Sequence, residues 1–255
     1  MIDKNMNNYG QHLVAHRGYS SVYPENTLLA LEAALSLGAC FVEVDVHISA
    51  DNIPVVVHDA DLQRTAGQAA KVLEHSYLEL QEYSVHNPKR FGNRYMPQRI
   101  PTLQAVAELI HRYPNRILFV EAKRASIKAF GIDTFLKCIE PVVGMIQDQC
   151  VLISFDAQCL NAAKQRRLCP VGWVFDEWSQ TSLDVIENLR PEYVFTDYTE
   201  VPEQYQLLPD GSWKWVVYTI DDAELALQWF KKGASLVETN DFGTLIKHGA
   251  LNNVC

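Results

Sequence analysis

FVEVDVHISADNIPVVVHD, residues 41–59, is the stretch whose reading decides the fold. Side chains alternate faces along a strand. Glu43, Asp45 and His47 therefore share one face, and Val42, Val44 and Val46 take the other. Two carboxylates on one strand face repel unless a cation lies between them. The apolar run at 53–57 follows too closely to be the next parallel strand, because a parallel crossover needs a dozen or more residues. Asp51 and Asn52 suit a two-residue hairpin turn, since both tolerate left-handed dihedrals. Counting outward from that turn sets Asp45 opposite His58, so the local geometry predicts an imidazole across the ladder from the acid pair.

Outward from this hairpin, the chain alternates short apolar runs with helical periodicity. Strand candidates are 12–15, 117–120, 151–155, 171–174, 193–196, 215–219 and 236–239, with the two hairpin limbs. Helices are expected at 103–112, about 128–146, 157–167, 181–189, 222–232 and 242–249. One more opens after Pro24, capped by Asn26 or Thr27 and closed at Gly38. With the return limb 53–57 set aside, eight strands remain, most of them joined by helices. In about 250 residues this pattern is a (β/α)8 barrel. An open doubly wound sheet is the alternative, but no Gly-x-Gly-x-x-Gly follows the first strand. Residues 60–100 break the rhythm and read as an insertion with one short helix near Tyr77–Tyr83, followed by a basic, solvated loop at 89–94. The whole chain, 1–255, reads as one domain.

The formal net charge is −9, which argues against a nucleic-acid or anionic-membrane binder. The first ten residues are polar and read as no leader, and no apolar run is long enough to span a bilayer. Cys40, Cys138, Cys150, Cys159, Cys169 and Cys255 show no metal-like spacing. They read as reduced thiols of a cytoplasmic protein.

In a barrel, reactive groups gather where strands end. The strand ends here carry His16, Arg17, Glu43, Asp45, His58, Glu121, Lys123, Tyr218 and Thr239. Three carboxylates at one mouth suit a hard divalent cation, Mg²⁺ or Ca²⁺. Two histidines suit an acid–base pair, and Arg17 with Lys123 suits an anionic, phosphate-bearing substrate. Each residue alone has a plainer reading. Glu121 and Lys123 could be a cross-strand pair, Asn26 a helix cap, and His75, His86, His111 and His248 solvated side chains. Their coincidence at strand ends favours phosphodiester cleavage.

His16-Arg17-Gly18, Pro24-Glu25-Asn26-Thr27, Glu43-Val44-Asp45-Val46, Val55-Val56-Val57-His58-Asp59, Arg64-Thr65 and Glu121-Ala122-Lys123 together resemble the glycerophosphodiester phosphodiesterase family, in its short cytoplasmic bacterial form. Ile100-Pro101-Thr102-Leu103 and Ser154-Phe155-Asp156 fit it too. The resemblance implies a barrel of the phospholipase-C-like phosphodiesterase type that yields an alcohol and sn-glycerol 3-phosphate through a cyclic phosphate. It implies His16 and His58 as the catalytic pair and metal on Glu43, Asp45 and Glu121. Arg17 and Lys123 would meet the phosphate, and Tyr218 the substrate. Which histidine is base and which acid stays open. The family often has Trp-Thr-x-Asn where this chain has Tyr218-Thr219-Ile220-Asp221, a departure that bears on the choice of alcohol. A lysophospholipase D-like phosphodiesterase and a catalytically silent binding barrel are the alternative readings.

Overall fold

The computed structural model describes residues 9–255; the expectation about a leader lies, for residues 1–8, outside the described residues. Nine strands form one sheet: β1 Leu13–Ala15, β2 Phe41–Ile48, β3 Pro54–Val56, β4 Ile117–Ala122, β5 Cys150–Ser154, β6 Val171–Val174, β7 Tyr193–Asp197, β8 Lys214–Tyr218 and β9 Leu236–Thr239. All neighbours run parallel except β3, which is antiparallel to β2. Pairing of β1 with both β9 and β2 closes the other eight into the expected (β/α)8 barrel. Strand β1 pairs with the start of β2, at Phe41 and Val42, and β3 pairs with its far end, at Val46–Ile48.

Alternation along the strands sorts side chains into two layers. Val42, Val44 and Val46 pack outward with Leu31, Leu103, Val106 and Ile110 of the surrounding helices. Val14, Phe119, Val151, Ile153, Val174, Phe195, Val216 and Leu236 fill the interior. Phe119 stands edge-on to both Tyr193 and Phe195, at 5.0 and 5.2 Å between centroids, and plugs the barrel below its mouth.

The first helix spans Leu28–Ser36, and Thr27 rather than Asn26 caps it, accepting from the Ala30 N–H. The helix expected at about 128–146 is instead two, Arg124–Phe130 and Ile132–Met145. Gly131, at φ 83° and ψ 153°, ends the first before the second begins.

The hairpin register is one residue away from the expected one. Val46 faces Val56, so Asp45 lies across from Val57, whose N–H donates to the Asp45 carbonyl at 3.0 Å. The turn holds three residues rather than two: Ser49 N donates to Ile53 O, and Asn52 takes the left-handed φ of 64°. Since β3 ends at Val56, strict alternation does not extend to His58.

Residues 60–100 carry short helices at Gln63–Ala66, Tyr77–Leu80 and Pro88–Phe91. Leu62, Val72, Leu80, Val85 and Ile100 form a cluster of their own against Val55 and Val57. The 89–94 run is not merely solvated. Arg90 donates to the carbonyls of Ser20 and Ser21, and the Tyr95 hydroxyl donates to Val22 O. His86, expected in solvent, is buried against Ser84.

The cysteine expectation is corrected as well. Cys40 and Cys255 form a disulfide, with Cα atoms 5.3 Å apart, because the last residues return to the start of β2: Cys255 N donates to Gly38 O. Cys138, Cys150, Cys159 and Cys169 are free. Among the described residues no helix is long and apolar enough to cross a membrane.

Candidate active site

At the C-terminal end of the strands lies a cavity of about 380 Å³. His16, Arg17, Glu43, His58, Glu121, Lys123 and Tyr218 all line it. Asp45 is buried directly behind, in contact with both cations. The structure thus brings together every expected site residue except Thr239. That side chain is fully buried and donates to Asp221 Oδ1.

One carboxylate oxygen each from buried Glu43, buried Asp45 and half-buried Glu121 lie within 4.8 Å of one another. Lys123 Nζ bridges two of these acids, 3.0 Å from Asp45 Oδ1 and 2.8 Å from Glu121 Oε1. The Arg17 N–H donates to Glu43 Oε2 at 3.0 Å, while its Nε lies 3.1 Å from Asp45 Oδ2. Arg17 reaches this position from a left-handed φ of 55°, uncommon for a residue with a side chain. Asn26, also left-handed at φ 56°, serves the site instead of the helix. Its Nδ2 donates to Asp45 Oδ2 at 2.7 Å and its Oδ1 accepts from Asp45 N at 3.1 Å.

Burial and crowding set the charges. Burial alone would raise the Asp45 carboxyl, but Arg17 and Lys123 overcome it and hold the group well below the usual carboxylate range. Burial first, and then Asp45, push Glu43 and Glu121 upward. Burial lowers His16 to about 4, with the Arg17 charge adding to it, and burial also lowers His58.

The two histidines are held differently. His16 Nδ1 lies 2.8 Å from Asn240 Oδ1. That oxygen also accepts from Ser20 Oγ, while Asn240 Nδ2 donates to Asp221 Oδ2. This orients the amide, so His16 carries its proton on Nδ1 and presents a bare Nε2. His58 Nδ1 instead donates to the Asp59 carboxylate at 2.7 Å. Arg64 links Asp59 to Glu25, and Glu25 receives Arg17 Nη1 at 2.8 Å. A chain of alternating charges therefore joins the two rims, Arg17 to Glu25 to Arg64 to Asp59 to His58.

Besides Asn26, read as a cap, three residues of the site escaped the sequence reading. Asp221 and Asn240 orient His16 but lie in loops, where no periodicity marks them. Glu238 lines the cavity, 4% exposed, and its Oε1 has no hydrogen-bond partner. The alternation of β9 was the available signal: Leu236 faces the interior, so Glu238, two residues on, does too. Burial first, and then the Glu121 charge, push this carboxyl up to about 8.

A family model described as "Glycerophosphoryl diester phosphodiesterase family" matches residues 16–233. The glycerophosphodiester phosphodiesterase of Caldanaerobacter subterraneus subsp. tengcongensis is 27% identical over 243 residues, 92% of this chain and 96% of that protein. Glycerophosphodiester phosphodiesterase 1 of Bos taurus is 35% identical over 117 residues, 46% of this chain but only 35% of that protein. Among solved structures, an Oleispira antarctica phosphodiesterase in complex with the product sn-glycerol-3-phosphate superimposes with a TM-score of 0.80 at 24% identity, over 95% of this chain and 97% of that one. The glycerophosphodiester phosphodiesterase of Thermotoga maritima gives 0.70 at 24% identity, over 92% and 97%. These two likenesses concern the fold.

Proposed function

The chain belongs to the glycerophosphoryl diester phosphodiesterase family and is a phosphodiester hydrolase; from that premise we propose that it cleaves glycerophosphodiesters to an alcohol and sn-glycerol 3-phosphate by His16/His58 acid–base catalysis with a divalent cation. One observation carries the reading. Two imidazoles, two cations and two carboxylates line one cavity, with Asp45 completing a three-carboxylate seat directly behind it.

The residues fit a hard cation. All three donors are carboxylate oxygens, and Glu43 Oε1 is buried with no hydrogen-bond partner. Glu43, Asp45 and Glu121 would hold Mg²⁺ or Ca²⁺. When bound, such an ion supplies Lewis-acid polarisation of a phosphoryl oxygen and of the attacking hydroxyl.

The protein's own groups do the rest. His16, neutral with a bare Nε2, takes the proton of the glycerol 2-hydroxyl as that oxygen attacks phosphorus. The new P–O bond closes a five-membered cyclic phosphate while the bond to the alcohol breaks. His58, starting as an imidazolium that the Asp59 carboxylate steadies, gives a proton to the departing oxygen and is left neutral. Water then opens the ring with the roles reversed. Arg17, tethered by Glu25, and Lys123 face the phosphate, and Tyr218 forms part of the substrate-binding wall.

We also read residues 1–255 as a single catalytic domain, with 60–100 an insertion tied to the first loop by Arg90 and Tyr95. We propose a cytoplasmic location, where Cys138, Cys150, Cys159 and Cys169 stay reduced and the Cys40–Cys255 pair departs from the usual cytosolic pattern. The deciding experiment is turnover of a glycerophosphodiester panel with and without EDTA, coupled to glycerol 3-phosphate detection. Turnover that EDTA abolishes is expected; no turnover on any diester refutes the reading.

A further inference from the structure

The ring of side chains just above the interior plug is split into two arcs. In strand order, β9, β1, β2 and β4 contribute Glu238, His16, Glu43 and Glu121. Across from them β5, β6 and β7 contribute Ile153, Val174 and Phe195. Tyr218 on β8 closes the ring beside Glu238. Glu238 does not belong to the three-carboxylate seat. It lines the cavity at 4% exposure, and its Oε1 is buried with no hydrogen-bond partner. A buried acceptor without a donor is destabilising. Such a group at the wall of a ligand cavity points to a donor carried by the ligand.

Resting on the function proposed above, we infer that Glu238 is a substrate-positioning residue that accepts a hydrogen bond from the free terminal hydroxyl at carbon 1 of the glycerol unit, and so restricts the enzyme to deacylated glycerophosphodiesters. The phosphodiester itself carries no donor, and head-group alcohols differ. The glycerol unit always brings two hydroxyls on adjacent carbons. One attacks phosphorus under His16. Its neighbour needs an acceptor beside that base, and Glu238 stands on the strand next to His16, where Ala15 pairs with Thr239. The opposite arc, Ile153, Val174 and Phe195, takes the carbon side of the polyol. A 1-acyl lysophospholipid keeps the attacking 2-hydroxyl but puts an ester where Glu238 expects a donor. A site built to bond a hydroxyl discriminates strongly against analogues lacking it.

The test compares kcat/KM for glycerophosphocholine, for the analogue with propane-1,2-diol in place of glycerol, and for the 1-acetyl ester of glycerophosphocholine. Each is measured with excess Mg²⁺ or Ca²⁺ in the wild type, Glu238→Gln and Glu238→Leu. The wild type is expected to prefer glycerophosphocholine over both analogues by roughly 100-fold or more. Glu238→Leu should cut that preference below about tenfold, mainly through a higher KM for glycerophosphocholine. Glu238→Gln, which keeps an acceptor of the same shape, should retain part of it and guards against a misfolded leucine variant. Equal wild-type rates on all three substrates would overturn the inference while leaving the phosphodiesterase reading intact. So would variants with unchanged preference, or variants altered only in the cation concentration they need. A wild type inert toward every diester would remove both.

Discussion

Replacing Asn26 by Ala should destabilise the cation-free protein far more than its position in a loop suggests. The side chain is 2% exposed and makes two hydrogen bonds to one residue, Asp45. The 2.7 Å bond to the ionised carboxylate is charge-assisted, a class worth about 1.5–3 kcal/mol. Losing the other partner strands a buried Asp45 N–H, at about 1–3 kcal/mol. Alanine at the φ of 56° adds about 1–2 kcal/mol of left-handed strain. Arg17 and Lys123 still hold the carboxylate, so the low end of each range applies and the loss should be about 3.5 kcal/mol. That is a large fraction of the roughly 5–15 kcal/mol typical of a folded domain. Urea unfolding in EDTA, followed by tryptophan fluorescence, measures it. Asn26→Asp separates the contributions, since Asp tolerates the same backbone but sets an acceptor where Asp45 needs a donor. A loss below about 1 kcal/mol in Asn26→Ala, or an Asp variant as stable as wild type, would refute this account.

His16→Ala and His58→Ala should each lower kcat by about 10²–10⁴ with the fold retained by circular dichroism, and wild-type-like turnover in either removes the acid–base assignment. Glu43→Gln should weaken the rise in melting temperature that Mg²⁺ or Ca²⁺ gives the wild type; an unchanged shift would count against ligation there. Asn240→Leu should lower kcat more than it raises KM, because His16 loses the partner that orients its ring; a pure KM effect would contradict the tautomer argument. Cys255→Ser should cost about 2–5 kcal/mol in non-reducing urea titrations, since the bridge joins residues 215 apart, and equal midpoints with and without it would show that the staple contributes nothing.

Much of this was legible in the sequence because strand ends are legible. Glu43 and Asp45 lie two apart on a strand whose other face is valine, and that alternation survives intact in β2. What failed depended on counting through a turn. A two-residue loop at Asp51–Asn52 would have set Asp45 opposite His58. Ser49, whose hydroxyl bonds Asp51 and Ile53, closes a three-residue loop instead, a contact that periodicity does not encode. The Cys40–Cys255 pairing depends on where a chain end returns after the whole barrel is built, which no local pattern reports. Glu238 was within reach. Its parity with Leu236 points inward, whereas Thr239, the last residue of the strand, has the opposite parity.

The charge relay that runs from Arg17 through Glu25, Arg64 and Asp59 to His58 bears on protein engineering. Its members come from the first loop, the hairpin exit and the head of the insertion, and Arg90 fastens the same insertion to Ser20 and Ser21. Grafting one of these segments from a protein that lacks its relay residue would cut the relay at a junction and leave an unmatched charge there. Chimaeras meant to change the alcohol accepted should therefore exchange 16–26 and 58–95 as one cassette, or leave both alone and redesign the wall formed by the later strands.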